Sequence, residues 1–147
     1  FVWQDGHIWI TFAAHRHRAS AIKRDPRVSV TVSGRTSQDP ECPMGAVTFK
    51  GRGVFVDDED TKLKFYRALS KKVSPDDQGG EDDFYSLLDS PLRLVLDITP
   101  EKVISFDADK SHRHREGTLA EDEKSPLQSS DAQRLQQERA RRGIDAG

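Results

Sequence analysis

Apolar and polar side chains alternate with a period of two along five stretches of this chain. Ile8, Ile10 and Phe12 face one way and Trp9 and Thr11 the other; Val28, Val30 and Val32 oppose Ser29 and Thr31. Residues 46–56 set Val47 and Phe49 against Thr48, Lys50 and Arg52, residues 92–98 bring Leu92, Leu94, Leu96 and Ile98, and KVISFD follows at 102–107. Such runs, each with one apolar face, predict strands of an antiparallel sheet. Phe1–Trp3, a turn at Gln4-Asp5-Gly6 and His7–Phe12 read as a hairpin, for which Asp-Gly between apolar runs is a strong signal. Gly51 and Gly53 fit a bulge or sharp bend in mid-strand. Five or six short strands joined mostly by turns point to a barrel or sandwich.

Two helices interrupt the strands. Residues 57–73 carry acids at Asp57–Asp60 and Lys71 and Lys72 at the far end, a polarity that suits the helix dipole. Leu63, Tyr66, Leu69 and Val73 form the expected apolar stripe. SPDDQGGEDD reads as a loop, DFYSLLDS as a short helix stopped by Pro91. A further short helix over ASAIKRD turns Ile22 inward, and SGRTSQDPECPMG is a polar loop.

Composition divides the chain. Beyond residue 110 there are 7 Lys and Arg and 7 Asp and Glu, with Leu119, Leu127, Leu135 and Ile144 as the large apolar residues. Residues 111–147 therefore bury too little to offset their ordering entropy, and a charged, disordered tail is expected. The core comes from residues 1–110. A net charge of −2 argues against nucleic-acid binding, which needs a basic face. No window is long and apolar enough for a membrane span. The single Cys42 excludes an internal disulfide and suits a reducing, cytoplasmic compartment.

Against that balance stands HRHRASAIKRDPRV, residues 15–28, half of it Arg, Lys or His. It joins a strand to a short helix, where free backbone N–H groups and the helix dipole favour an anion. Arg16 and Arg18 point the same way in extended chain. Ser20 offers a hydroxyl, Lys23 lies one turn later, and guanidinium groups pair well with phosphate oxygens. The chemistry suggests one phosphate site; the bland alternative is a solvated basic loop.

In order, FVWQDGHIWITFAAHRHRASAIKRDPRVSVTV, VTFKGRGVFVDDEDTKLKFYRAL and PLRLVLDITPEKVISFD resemble the pyridoxamine 5'-phosphate oxidase-like split-barrel family over residues 1–108. The resemblance implies a mainly β fold, an antiparallel split β-barrel with short helices that forms a homodimer. It implies FMN at the dimer interface, with the deazaflavin coenzyme F-420 or haem as the cofactor of other branches. The family's upstream strand pair has no counterpart here, so the chain reads as a fragment. Carried over by position, the cofactor residues are Thr11, Arg16, Arg18, Ser20 and Lys23. The interval from Thr11 to Arg18 is one residue longer than the family pattern, which leaves the choice among Arg16, His17 and Arg18 open. Lys50 and Arg52, on the polar face of their strand, reach either cofactor or solvent. The expected activity is an FMN-dependent oxidoreductase acting on a small molecule. A deazaflavin-dependent reductase is one alternative, and a flavin- or haem-binding protein without turnover is another.

The remaining candidates are weaker. His15, His17, His112 and His114 lie in i, i+2 pairs without a recognised metal-ligand spacing, so no metal is expected. Cys42 has no adjacent base to activate it. Trp3 and Trp9 either stack near a flavin ring or serve as core and dimer contacts. No general acid or base stands out.

Overall fold

The computed structural model describes residues 1–35 and 40–144. The centre of the expected polar loop, residues 36–39, and the last three residues lie outside the described part. The chain divides into two compact units, Phe1–Asp107 and the residues from Ala108 onward.

In the first unit, strands β1 (Val2–Gln4) and β2 (His7–Ala13) form the expected hairpin. Asp5 and Gly6 at its tip both have positive φ, 53° and 79°, as a two-residue turn matched to strand twist requires. Helix α1 spans His17–Arg24, and β3 (Arg27–Ser33) and β4 (Gly45–Val56) follow. Then come α2 (Glu59–Val73), α3 (Gln78–Leu88) and β5 (Arg93–Asp107). Two expectations change. The runs at 92–98 and 102–107 are one 15-residue strand, because the ladder with β4 continues past Pro100 by skipping Glu101. The expected loop at 74–83 becomes helical from Gln78, where the Asp77 carboxylate accepts the Gly80 N–H and caps α3.

All pairings are antiparallel, and the sheet order is β1-β2-β5-β4-β3. The pairing among the described residues therefore leaves the sheet open; of the expected antiparallel split barrel it shows the five-stranded antiparallel sheet. Strand residues predominate in this unit, but counting the helices of both units the chain is mixed α and β rather than mainly β. The sheet is nonetheless strongly curled. Trp3 on β1 meets Phe49 on β4, ring centroids 5.2 Å apart, although β2 and β5 separate their strands. Three strand intervals in a flat sheet would span roughly 14 Å.

Each face carries its own core. On the inner face Ile8, Phe12, Leu96 and Ile98 pack with Ala19 of α1, joined by Ile10, Ile22, Val28, Val30, Phe49 and Leu94. On the other face Val95 meets Phe65, Tyr66 and Leu69 of α2 and Leu88 of α3. The strand alternation fixes this division, since Leu94, Leu96 and Ile98 point one way and Val95 the other. Leu92, expected among the apolar strand residues, precedes β5 and is exposed. The α2 stripe centres on Phe65 rather than running to Val73, which is exposed in the last turn.

The second unit contains α4 (Ala108–Arg115), a 3₁₀ turn at Glu121–Glu123 and α5 (Ser129–Arg142). No residue of α4 or α5 is buried. Local polar contacts supply its order. Arg113 grips Glu123 with two bonds of 2.8 and 2.7 Å, Glu138 bridges Arg141 and Arg142, and Gly143 ends α5 in the left-handed region. The sequence reading assigned this segment to a disordered tail.

Candidate functional site

Helix α1 starts where β2 ends. Its apolar seam is Ala19 and Ile22, which dock on the inner core, and everything around that seam is basic or small. At 100° per residue, Arg18 and Lys23 flank the seam on either side. Each lies against a ring: Arg18 5.6 Å from the Phe12 centroid, Lys23 5.8 Å from that of Phe55. The two rings meet edge to face at 6.2 Å. The stems of both cations thus cover apolar surface while their charges stay in solvent.

The start of α1 is uncapped. Arg16 is its N-cap residue and makes no side-chain cap bond, and no acid lies in the first turn. The Ala19 N–H reaches the Arg16 carbonyl at 2.9 Å, which leaves the N–H groups of His17 and Arg18 without an acceptor in the helix. Among the described residues the side chains of His15, Arg16, His17 and Arg24 have no partner, while Arg27 is held by Asp25. This end of the helix thus combines free donors, a positive dipole end and two guanidinium groups, an arrangement suited to one multi-oxygen anion.

The six residues singled out by sequence fall in different places. Arg16 and Arg18 share the N-terminal end of α1, and Lys23 lies one turn beyond on the ring-bearing side. The Ser20 hydroxyl donates to the His17 carbonyl at 2.9 Å. The Thr11 hydroxyl donates to the Leu94 carbonyl at 2.7 Å. Thr11 projects from the face of β2 opposite Phe12, hence away from the core on which α1 docks. Lys50 is not with the others. It stands opposite Ser29 in the β3–β4 ladder and lines a groove at the other end of α1, beside the C-cap residue Asp25. Arg52 is paired with Glu101 at 3.2 Å. Trp9 stacks on Phe65 at 6.2 Å in the outer core, whereas Trp3 is half exposed over Phe49.

Two features escaped the sequence reading. His7 Nδ1 lies 2.7 Å from Asp97 Oδ1, partners 90 positions apart that only the β2–β5 register brings together. The Asp25 carboxylate binds the Arg27 guanidinium and backbone, and these contacts lower its pKa to about 2. Among the described residues no group of three or more His, Cys, Asp or Glu could hold a metal ion, and no helix is long and apolar enough to cross a membrane.

No protein-family model matches the chain, and no curated protein matches it. Solved structures do. A conserved hypothetical protein from Mycobacterium tuberculosis is 22% identical, with a TM-score of 0.56 over 86% of this chain and 72% of its own. A Bacteroides thetaiotaomicron protein provisionally assigned as a 5-nitroimidazole antibiotic resistance protein is 9% identical, with a TM-score of 0.50 over 70% of this chain and 62% of its own. At identities this low the likeness is one of fold alone. A Listeria innocua protein provisionally assigned as a pyridoxamine 5'-phosphate oxidase aligns over 72% of this chain and 73% of its own at 18% identity, but its TM-score of 0.49 is too loose to bear on function.

Proposed function

We propose that this chain is an FMN-dependent oxidoreductase of the pyridoxamine 5'-phosphate oxidase-like family, working as a homodimer with the flavin at the interface. The observation that carries the proposal is the uncapped, acid-free start of α1 with Arg16 and Arg18 beside it. The order of motifs along the chain supports the same reading.

The residues present fit a phosphate monoester. The free N–H groups of His17 and Arg18 and the two guanidinium groups supply charge-assisted donors for its oxygens. The Ser20 hydroxyl is engaged within its own helix, so it helps to fix the first turn. Lys23 adds positive charge along the helix, and Thr11 fixes β2 to β5 through its bond to Leu94. The half-exposed Trp3, tilted against Phe49, offers an apolar surface at the inner mouth of the sheet. When bound, the flavin supplies hydride acceptance and donation, and the protein supplies binding, orientation and charge.

The test has two stages. Titration with FMN, followed by flavin fluorescence, should give saturable binding; the deazaflavin coenzyme run in parallel tells the two branches apart. Assaying the loaded protein for acceptor reduction by NADPH then separates an enzyme from a protein that only stores flavin. Absence of FMN binding would refute the proposal, and binding without any turnover would refute the enzymatic part.

A further inference from the structure

A groove of about 400 Å³ lies between the C-terminal end of α1, the edge strand β3 and the place where the β4–β5 register shifts. The shift makes it. Lys50 pairs with Lys102 and Gly51 with Pro100, so Glu101 is the extra residue of a bulge and swings to Arg52 at 3.2 Å. Bulges re-aim side chains and recur beside functional sites. Gly51 lies at the shift, where a Cβ would fall 2.0 Å from the Thr99 carbonyl oxygen. Any side chain there would collide with backbone, so the close approach of β4 and β5 at the bulge requires glycine.

The charges around the groove are largely spent. Asp25 is occupied by Arg27, with Nε 3.0 Å from each carboxylate oxygen. Glu101 is occupied by Arg52. Lys50 lines the groove without a partner. Ser29 stands directly opposite it in the ladder and its hydroxyl is likewise unengaged. Opposed side chains in an antiparallel pair have Cβ atoms about 5 Å apart. An ammonium and a hydroxyl at that separation can share the two oxygens of one anionic group. The carboxylates of Asp25 and Glu101 at the rim disfavour a polyanion such as a nucleic-acid backbone.

We infer that this groove binds a small molecule carrying a single carboxylate or phosphate monoester, with Lys50 and Ser29 holding the anionic group. The site is distinct from the start of α1, which lies a helix length away, about 12 Å for eight residues. It does not depend on the flavin reading.

Calorimetric titration of the full chain with benzoate, phenyl phosphate and benzyl alcohol tests it. At least one of the two anions should bind saturably, and which of them binds identifies the anionic group. Benzyl alcohol should bind at least tenfold more weakly. Lys50→Met should weaken anion binding at least tenfold, while Lys50→Arg, which keeps the charge, should stay within about threefold of the parent. Failure of both anions to bind, unchanged binding in Lys50→Met, or equal binding of the alcohol would overturn the inference. So would a loss of anion binding in Arg18→Ala but not in Lys50→Met, which would move the anion to the start of α1.

Discussion

Arg18→Ala separates two roles that the structure gives one side chain. The guanidinium lies 5.6 Å from the Phe12 centroid at the surface, a contact that contributes about 0.5–1 kcal/mol to folding. If the same group also holds the cofactor phosphate, it loses a charge-assisted hydrogen bond, nominally about 1.5–3 kcal/mol. Arg18 is exposed, so solvent and salt screen it and the lower half of that range applies. About 1.5–2 kcal/mol corresponds to an FMN dissociation constant raised roughly 10- to 30-fold. Arg16 has no ring contact, so Arg16→Ala should weaken FMN binding comparably and leave urea stability unchanged. Fluorescence titrations of the parent and both variants at about 0.1 M and 0.5 M salt give the constants, and the gap between parent and variant should narrow as salt rises. Unchanged dissociation constants in both variants would refute the phosphate assignment and return the basic stretch to a solvated surface.

Other expectations concern the frame. Leu96 is fully buried, and Leu96→Ala should cost about 2–5 kcal/mol in urea denaturation. A Cβ on Gly53 would come within 3.0–3.2 Å of the Leu96 side chain. Gly53→Ala should therefore be tolerated better beside Leu96→Ala than alone, with a coupling of about 1 kcal/mol; additivity within about 0.4 kcal/mol would contradict this. The Asp25 carboxyl should titrate by NMR near the value of about 2 to which Arg27 lowers it, against an ordinary 3.8. Because the folded pKa is the lower one, the stabilising contribution of the Asp25–Arg27 pair is complete above about pH 4 and lost as pH falls toward 2, and Asp25→Asn should abolish that part of the acid dependence. Asp58 caps α2 by accepting the Thr61 N–H at 2.8 Å, so Asp58→Ala should cost about 1 kcal/mol by thermal or urea melting.

Much of the frame was legible because its signals are local. Alternation marked β2, β3 and β4 to within a few residues and both halves of β5, Asp5-Gly6 marked the hairpin that contains β1, and Gly51 marked the register shift. The errors arose where distant pairing decides. Pro100 and Glu101 look like a break between two strands, yet the ladder with β4 carries the strand across them by leaving Glu101 unpaired. Gln78 to Asp83 look like loop because of their glycines and acids, yet the Asp77 cap starts a helix there. Strand number pointed to a barrel or sandwich and left the sheet order open, because order is a property of pairings that no single stretch encodes. In the candidate site, the strand-to-helix junction followed from sequence spacing, but the extended chain expected from Arg16 to Arg18 does not form, because α1 already begins at His17. That Thr11 faces away from α1, that Lys50 belongs to another groove and that His7 meets Asp97 all depend on register between strands far apart in the chain.

The most direct test of the account is the backbone amide spectrum of isotopically labelled protein during addition of FMN. The His17 and Arg18 amides, the unbonded donors at the start of α1, should show the largest shifts, saturating together with the flavin fluorescence. Saturable binding with these two amides unmoved would contradict the claim that the start of α1 receives the cofactor phosphate.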